Sequence, residues 1–200
     1  MQDRRGVFIL GLDIHGKECI DIIARNGKYH LLGYISQQAD APGAYAGYPV
    51  LDIEEAILRY PEAGLLPLHV WKSHLHNDRW VTLIDPSAFI ASTAKVGRGC
   101  IIYPNCFIGA DAVLGEGVLM LSGCIVNHDC VIGDRVTLAS HITLAGSVRV
   151  GESAYLGQGC NIRQVLSVGP RAFVGMGAVV TKNVPEGATV VGNPARPFTT

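Results

Sequence analysis

The residues of this chain best suited to chemistry are its histidines, and one of them has a carboxylate for a neighbour. His128 is followed by Asp129 inside the stretch Asn127-His128-Asp129-Cys130-Val131-Ile132-Gly133-Asp134. An imidazole beside a carboxylate can take a proton from an amine or a hydroxyl, which makes His128 a candidate general base. The other histidines carry less. His141 stands alone, and His15 lies in the turn Gly11-Leu12-Asp13-Ile14-His15-Gly16. His30, His69, His74 and His76 form no pattern with Cys or carboxylate partners, and no CxxC occurs, so no metal is expected.

What must position His128 is a six-residue beat that runs from Ile84 to Pro185 without a slip. The seventeen first positions, from Ile84 and Ile90 through Val126 and Ile132 to Val180, are all aliphatic or Met. The fifth positions are apolar and mostly small, and five of the six cysteines (Cys100, Cys106, Cys124, Cys130 and Cys160) stand there. A thiol at such a place is a compact core side chain. A period of six fits neither a helix nor an alternating strand. It fits a β-solenoid of short strands and tight turns, three hexads to a triangular coil, with coils about 4.8 Å apart. First and fifth residues then point inward. His128, third in its hexad, faces outward at a corner, and Gly146, eighteen residues on, stacks next to it. His141 is a fourth-position corner residue.

Residues 1 to 80 obey another rule. Val7-Phe8-Ile9-Leu10 suits a buried parallel strand. A helical stretch with Cys19, Ile20, Ile22 and Ile23 follows, then a strand Leu31 to Ile35. Asp52 is placed to cap a helix from Ile53 to Tyr60. Leu65 to Val70 reads as a third strand that Pro67 demotes to an edge, and Trp71 to Trp80 as a short helix. The order β-α-β-α-β predicts a small α/β Rossmann-like unit. The turn after its first strand could offer backbone N–H groups to a phosphate, although only Gly11 and Gly16 remain of a glycine-rich motif. After Pro185, Glu186 to Arg196 reads as a final strand and turn that covers the open end of the solenoid.

Composition narrows the partners. A formal net charge of -1 with no basic cluster gives no reason to expect nucleic acid. No signal pattern and no membrane-spanning apolar run is visible, so a cytoplasmic protein with no membrane partner is expected.

The pairing of the two parts resembles a known family. A unit opening with strand-Gly-x-x-x-His-Gly, then Gly-x-Pro-Val-Leu, then hexapeptide repeats, is similar to the sialic-acid O-acetyltransferase-like and nucleotide-amino-sugar N-acetyltransferase group of hexapeptide-repeat acyltransferases. The most specific pieces are Asn127 to Asp134 and the ending Val191-Gly192-Asn193-Pro194-Ala195. The resemblance implies a left-handed parallel β-helix over residues 81–200, carrying acetyl-CoA, and a nucleotide-sugar domain over residues 1–80. It implies His128 as general base with Asp129, where the family usually has Glu. It implies Ala145-Gly146 at the thioester, and Thr137, Gln158, Gly175, Met176 and Lys182 along the coenzyme. Gly11, Asp13, His15, Gly16 and Ser36 would hold the acceptor.

Two departures bear on that acceptor. Asp13-Ile14 replaces a small residue and Gly, and Ser36-Gln37-Gln38 stands where the family often has acidic residues, so the nucleotide is open, a GDP-linked sugar included. The outward sixth positions read Ile101, Leu119, Thr137, Tyr155 and Phe173 on one face and Phe89, Phe107, Ile125, Thr143, Asn161 and Val179 on the next. So much apolar surface predicts packing against symmetry mates as a homotrimer, although the same stripe could instead cover the N-terminal unit. The leading expectation is N-acetylation of a nucleotide-linked amino sugar. O-acetylation of a sialic-acid-type sugar and a non-catalytic scaffold are the alternatives. A carbonic-anhydrase-like solenoid would need three metal histidines, and only His128 and His141 face outward.

Overall fold

The computed structural model describes residues 4–38, 40–68 and 77–198. Its first elements are β1 (Arg5–Leu10), α1 (Ile14–Asn26), β2 (Tyr29–Ile35), β3 (Ala44–Tyr45), β4 (Tyr48–Leu51), α2 (Ile53–Arg59) and β5 (Gly64–Pro67). They form one sheet in the order β3-β4-β2-β1-β5, parallel except for the β3-β4 hairpin. Val7 to Leu10 are all buried, as the centre of a sheet covered on both sides requires. α1 buries Cys19, Ile22 and Ile23 and leaves Ile20 half-exposed, so its apolar stripe is narrower than expected. α2 starts as predicted, with the Asp52 carboxylate accepting from the Glu54 N–H at 2.8 Å.

Three local details refine these expectations. The hairpin β3-β4 was not foreseen, because its two-residue turn puts Ala46 as well as Gly47 at positive φ (49° and 81°), and Ala is a poor signal for that geometry. β5 is an edge strand ending at Pro67, where the missing N–H costs least; His69 and Val70 of the expected strand lie outside the described residues. Of the helix expected over 71–80, residues 71–76 also lie outside them, and Asn77–Arg79 forms a single 3-10 turn.

From Leu83 onward the chain is a parallel β-solenoid. Seventeen two-residue strands, β6 (Leu83–Ile84) to β22 (Val179–Val180), fall into three columns in strict rotation, a little under six turns. Each strand pairs with the one eighteen residues away, Phe107 with Ile125 and Ile125 with Thr143, for example. The first and fifth hexad positions from Cys100 to Val184 fill one continuous core. From Gly99 to Gly177 the fourth position of each hexad turns the corner in the left-handed region, at φ between 55° and 72° for residues as different as Asn105, Gly123, Asp129, His141 and Val165. After β22 the tail returns to the first face. β23 (Thr189–Val191) pairs with β21 (Phe173–Val174), and β24 (Arg196–Pro197) folds back antiparallel on it, the capping strand and turn expected of this segment.

The two parts share a core. Ile101 and Leu119 on the first face of the prism, with Tyr103, are buried against β1, α1 and Tyr34. Arg25 reaches across to the buried Asp85 at 3.0 Å, and the Asn26 amide donates to the Ile84 carbonyl at 2.8 Å. The apolar stripe therefore has two fates. Its upper part on the first face is covered by the chain's own N-terminal unit. Tyr155 and Phe173 lower on that face, and Phe89, Phe107 and Ile125 on the second, remain exposed. The exposed rings stack in pairs, Phe89 on Phe107 at 5.1 Å and Tyr155 on Phe173 at 5.0 Å.

Candidate active site

The three corners of the prism differ in kind. The third corner, between the third and first faces, carries ion pairs between coils: Arg98 with Glu116, Arg135 with Glu152 and Arg171 with Glu186. The second corner, between the second and third faces, carries His128, between β13 (Ile125–Val126) and β14 (Val131–Ile132).

That corner is tied from both sides. The Asp129 N–H donates to the Ala110 carbonyl of the coil above at 3.0 Å, and the Ser147 N–H of the coil below donates to the His128 carbonyl at 2.9 Å. The Asn127 amide donates to the Leu144 carbonyl at 2.8 Å, a pin that the sequence reading passed over. Asp129 holds φ 60°. Its carboxylate lies 2.7 Å from His128 Nδ1, close enough to hold the proton there and leave Nε2 as the base. The two side chains are 65% and 58% exposed, so water screens the pair, and its use is orientation rather than stability.

The predicted stacking of His128 and Gly146 is present and tight. A β-carbon on Gly146 would stand 2.5 Å from Cε1 and 2.6 Å from Nε2 of His128. The Cε1–Nε2 edge of the imidazole thus sits against a backbone position with no side chain. Among the described residues the Gly146 N–H donates to no backbone acceptor.

The expected coenzyme residues do not gather in one place. Ala145, Gly146 and Lys182 lie along the His128 edge, Lys182 three coils below His128 and exposed. Gln158, Gly175 and Met176 line the first corner, between the first and second faces, and Thr137 stands on the first face. His141 is on that first corner too, its ring over Gly123.

The expected acceptor residues do cluster, at the carboxyl ends of β1 and β2, where open α/β sheets take ligands. Gly11 has φ 110°, and its N–H donates to the Ile35 carbonyl. Asp13 is the N-cap of α1, its Oδ1 accepting from the Gly16 N–H at 3.0 Å. This explains the Asp in a place where a phosphate would prefer none: the carboxylate supplies the negative charge that the helix start attracts. Gly16 has no room for more, since a β-carbon would touch the Tyr34 ring and Leu68. His15 Nδ1 lies 3.2 Å from Glu18, a partner one helical turn on that was legible as an i,i+3 pair. Ser36 borders a cavity of about 330 Å3 shared with Gln37, Gln38, Gly43 and Asp52. Among the described residues no group of His, Cys, Asp or Glu could hold a metal ion, and no helix is long and apolar enough to cross a membrane.

No protein-family model and no curated protein matches the chain. Solved structures do match it over nearly its whole length. The acetyltransferase domain of PglB from Neisseria gonorrhoeae FA1090 is 25% identical, with a TM-score of 0.85 over 98% of this chain and 100% of that one. A structure of the same domain is in complex with acetyl coenzyme A. PerB from Caulobacter crescentus, in complex with CoA and GDP-perosamine, is 28% identical, with a TM-score of 0.86 over 97% of each chain. Two variants of it, each with one histidine replaced, carry the same two ligands. WeeI from Acinetobacter baumannii AYE is 27% identical, with a TM-score of 0.84 over 96% and 100%.

The fold is thus shared, over nearly the whole chain, with acetyltransferases solved with acetyl coenzyme A or with CoA. Within that class the resemblance read from the sequence, to the nucleotide-amino-sugar N-acetyltransferases, is borne out by these neighbours.

Proposed function

We propose that this protein transfers the acetyl group of acetyl-CoA to the amine of a nucleotide-linked amino sugar, with His128 as general base. The observation that carries the reading is the His128 ring tied to Asp129 on one edge and laid over Gly146 on the other. The acceptor arrives as an ammonium, which is not nucleophilic. One proton of the ammonium passes to water, Nε2 of His128 takes a second as the amine nitrogen attacks the thioester carbon, and the carbonyl oxygen becomes an oxyanion beside Gly146. The C–S bond then breaks and the coenzyme leaves as the thiol with a proton from the imidazolium. No covalent enzyme intermediate is needed.

Residues 1–80 hold the nucleotide and residues 81–200 the coenzyme. The neighbours crystallised with acetyl-CoA and with GDP-perosamine favour N-acetylation over transfer to a sugar hydroxyl. The division of the coenzyme residues between two corners supports a homotrimer, in which the second corner of one prism faces the first corner or first face of the next. The exposed stacked rings on the first and second faces are the surfaces that would be covered.

Release of free thiol from acetyl-CoA, measured against a panel of UDP- and GDP-linked amino sugars, tests the activity. Turnover with one class of amine, lost in His128→Ala, is expected. Turnover with no amine would end the reading, and turnover with sugar hydroxyls alone would move it to O-acetylation. Sedimentation of the wild type and of Phe107→Glu tests the trimer; a monomeric wild type refutes it.

A further inference from the structure

The turn that opens α1 is held by three tyrosine hydroxyls. Tyr45 donates to the Asp13 carbonyl at 3.0 Å and Tyr34 to the Gly16 carbonyl at 2.9 Å, both from the N-terminal sheet. The third comes from the solenoid. Tyr103 follows β9 (Ile101–Ile102), is buried, and brings its hydroxyl to 3.0 Å from Glu18 Oε2 and 3.3 Å from the His15 carbonyl. His15 Nδ1 is 3.2 Å from the same Glu18 oxygen and 3.5 Å from the Tyr103 oxygen, and the two rings meet edge to face at 6.2 Å. One carboxylate oxygen therefore lies within reach of a donor from the solenoid and a donor from the turn. Burial pushes the Tyr103 hydroxyl far above its ordinary range, so it stays a donor at any working pH.

We propose that Tyr103 is a positioning residue: through Glu18 it fixes His15 and the turn Asp13–Gly16 against the solenoid, and so sets where the nucleotide half of the acceptor is held. This rests on the reading that the turn takes that nucleotide. The other two tyrosines shape the turn from within its own unit. Tyr103 alone of the three ties it to the prism that carries His128, so it governs the relation between the two halves of the site rather than the chemistry at either.

Tyr103→Phe keeps the ring and removes only the hydroxyl, with its bond to the charged Glu18 and its contacts to His15. The KM for the amino-sugar nucleotide is expected to rise about tenfold, with kcat and the KM for acetyl-CoA within about twofold of wild type. Backbone amide exchange in residues 14–19 should quicken by a similar factor while the solenoid core is unchanged. Glu18→Gln should give a smaller change in the same direction. Equal loss in both substrates' parameters would reduce Tyr103 to a packing residue and overturn the proposal. Unchanged exchange at residues 14–19 would overturn it whatever the activity. Absence of turnover in the wild type would instead count against the acetyltransferase reading, and the exchange comparison would still decide the latch.

Discussion

Gly146→Ala separates catalysis from folding at a single atom. The added β-carbon would begin 2.5 Å from Cε1 of His128, whereas ordinary contact starts near 3.4 Å. The imidazole must therefore retreat by roughly 1 Å, and displacement on that scale costs on the order of a hundredfold in rate for a reacting group. Folding has little reason to object. Gly146 does not have positive φ, and the three nearest atoms all belong to the far end of an exposed side chain. Reduced freedom of the unfolded chain even favours Ala by about 0.4–1 kcal/mol at a compatible position. The expected result is a kcat/KM down about a hundredfold in the thiol-release assay, with a melting temperature equal to wild type or slightly higher. A variant within threefold of wild-type activity would show that the imidazole over Gly146 is not the reacting group. A variant that melts several degrees lower would show that the corner cannot absorb the methyl and that the contact was misjudged.

Other outcomes follow from the same geometry. His128→Ala should lower kcat by about 10²–10⁴-fold, the usual worth of a general base, with an unchanged melting temperature; Asp129→Asn should lose less, because the amide can still orient the ring. Val165 is a β-branched residue at φ 61° on an exposed corner, so Val165→Asn should stabilise by about 1 kcal/mol and raise the melting temperature by roughly 2–4 °C. Burial pushes the Cys100 and Cys160 thiols up to about 12, against roughly 8.5 in the unfolded chain. Above pH 8.5 the unfolded state then sheds protons that the folded state keeps, so this contribution is full below 8.5 and lost between there and 12. The urea midpoint should fall over that window, and fall less in Cys160→Ala; equal slopes in the two proteins would refute the assignment.

The solenoid was legible almost residue by residue because its rule is repetitive and local. A hexad needs an aliphatic first residue and a small apolar fifth, and each coil rests on the next with no loop to break the count. The stacking of His128 on Gly146 followed from a separation of eighteen alone. The N-terminal unit was harder to read. Its strands announced themselves by apolar runs, yet the β3-β4 hairpin hid behind Ala46, whose type does not advertise a left-handed turn. The partners of His15 were hidden for a different reason. Glu18 could be found by helical spacing, but Tyr103 comes from 88 residues away, across a boundary that no local pattern bridges. The fate of the apolar stripe was left open for the same reason, since Ile101 and Phe107 look alike in sequence and only the docking of α1 covers the first of them.

The distribution of function over the prism follows from its symmetry. A regular triangular coil presents three equivalent edges, and sequence makes them unequal. Ion pairs between coils occupy one edge, where half-exposed charges add little energy each. Along the second edge His128, Gly146, Gln164 and Lys182 succeed one another every eighteen residues, so a base, a gap and a terminal cation share one line. A ligand as long as coenzyme A can lie along such a line, but one edge of a convex prism cannot enclose it. The other wall must come from a different surface, and Gln158, Gly175 and Met176, which the proposed reading sets along the coenzyme, stand on the first corner, away from the His128 edge. Two copies can meet that demand where one cannot. Replacing Met176, which is 78% exposed, with Glu should then weaken acetyl-CoA binding as strongly as a change beside His128, and mixing Met176→Glu with His128→Ala subunits should restore part of the activity that each lacks alone. Failure of the mixed protein to exceed the two parents would place the whole coenzyme site within a single chain.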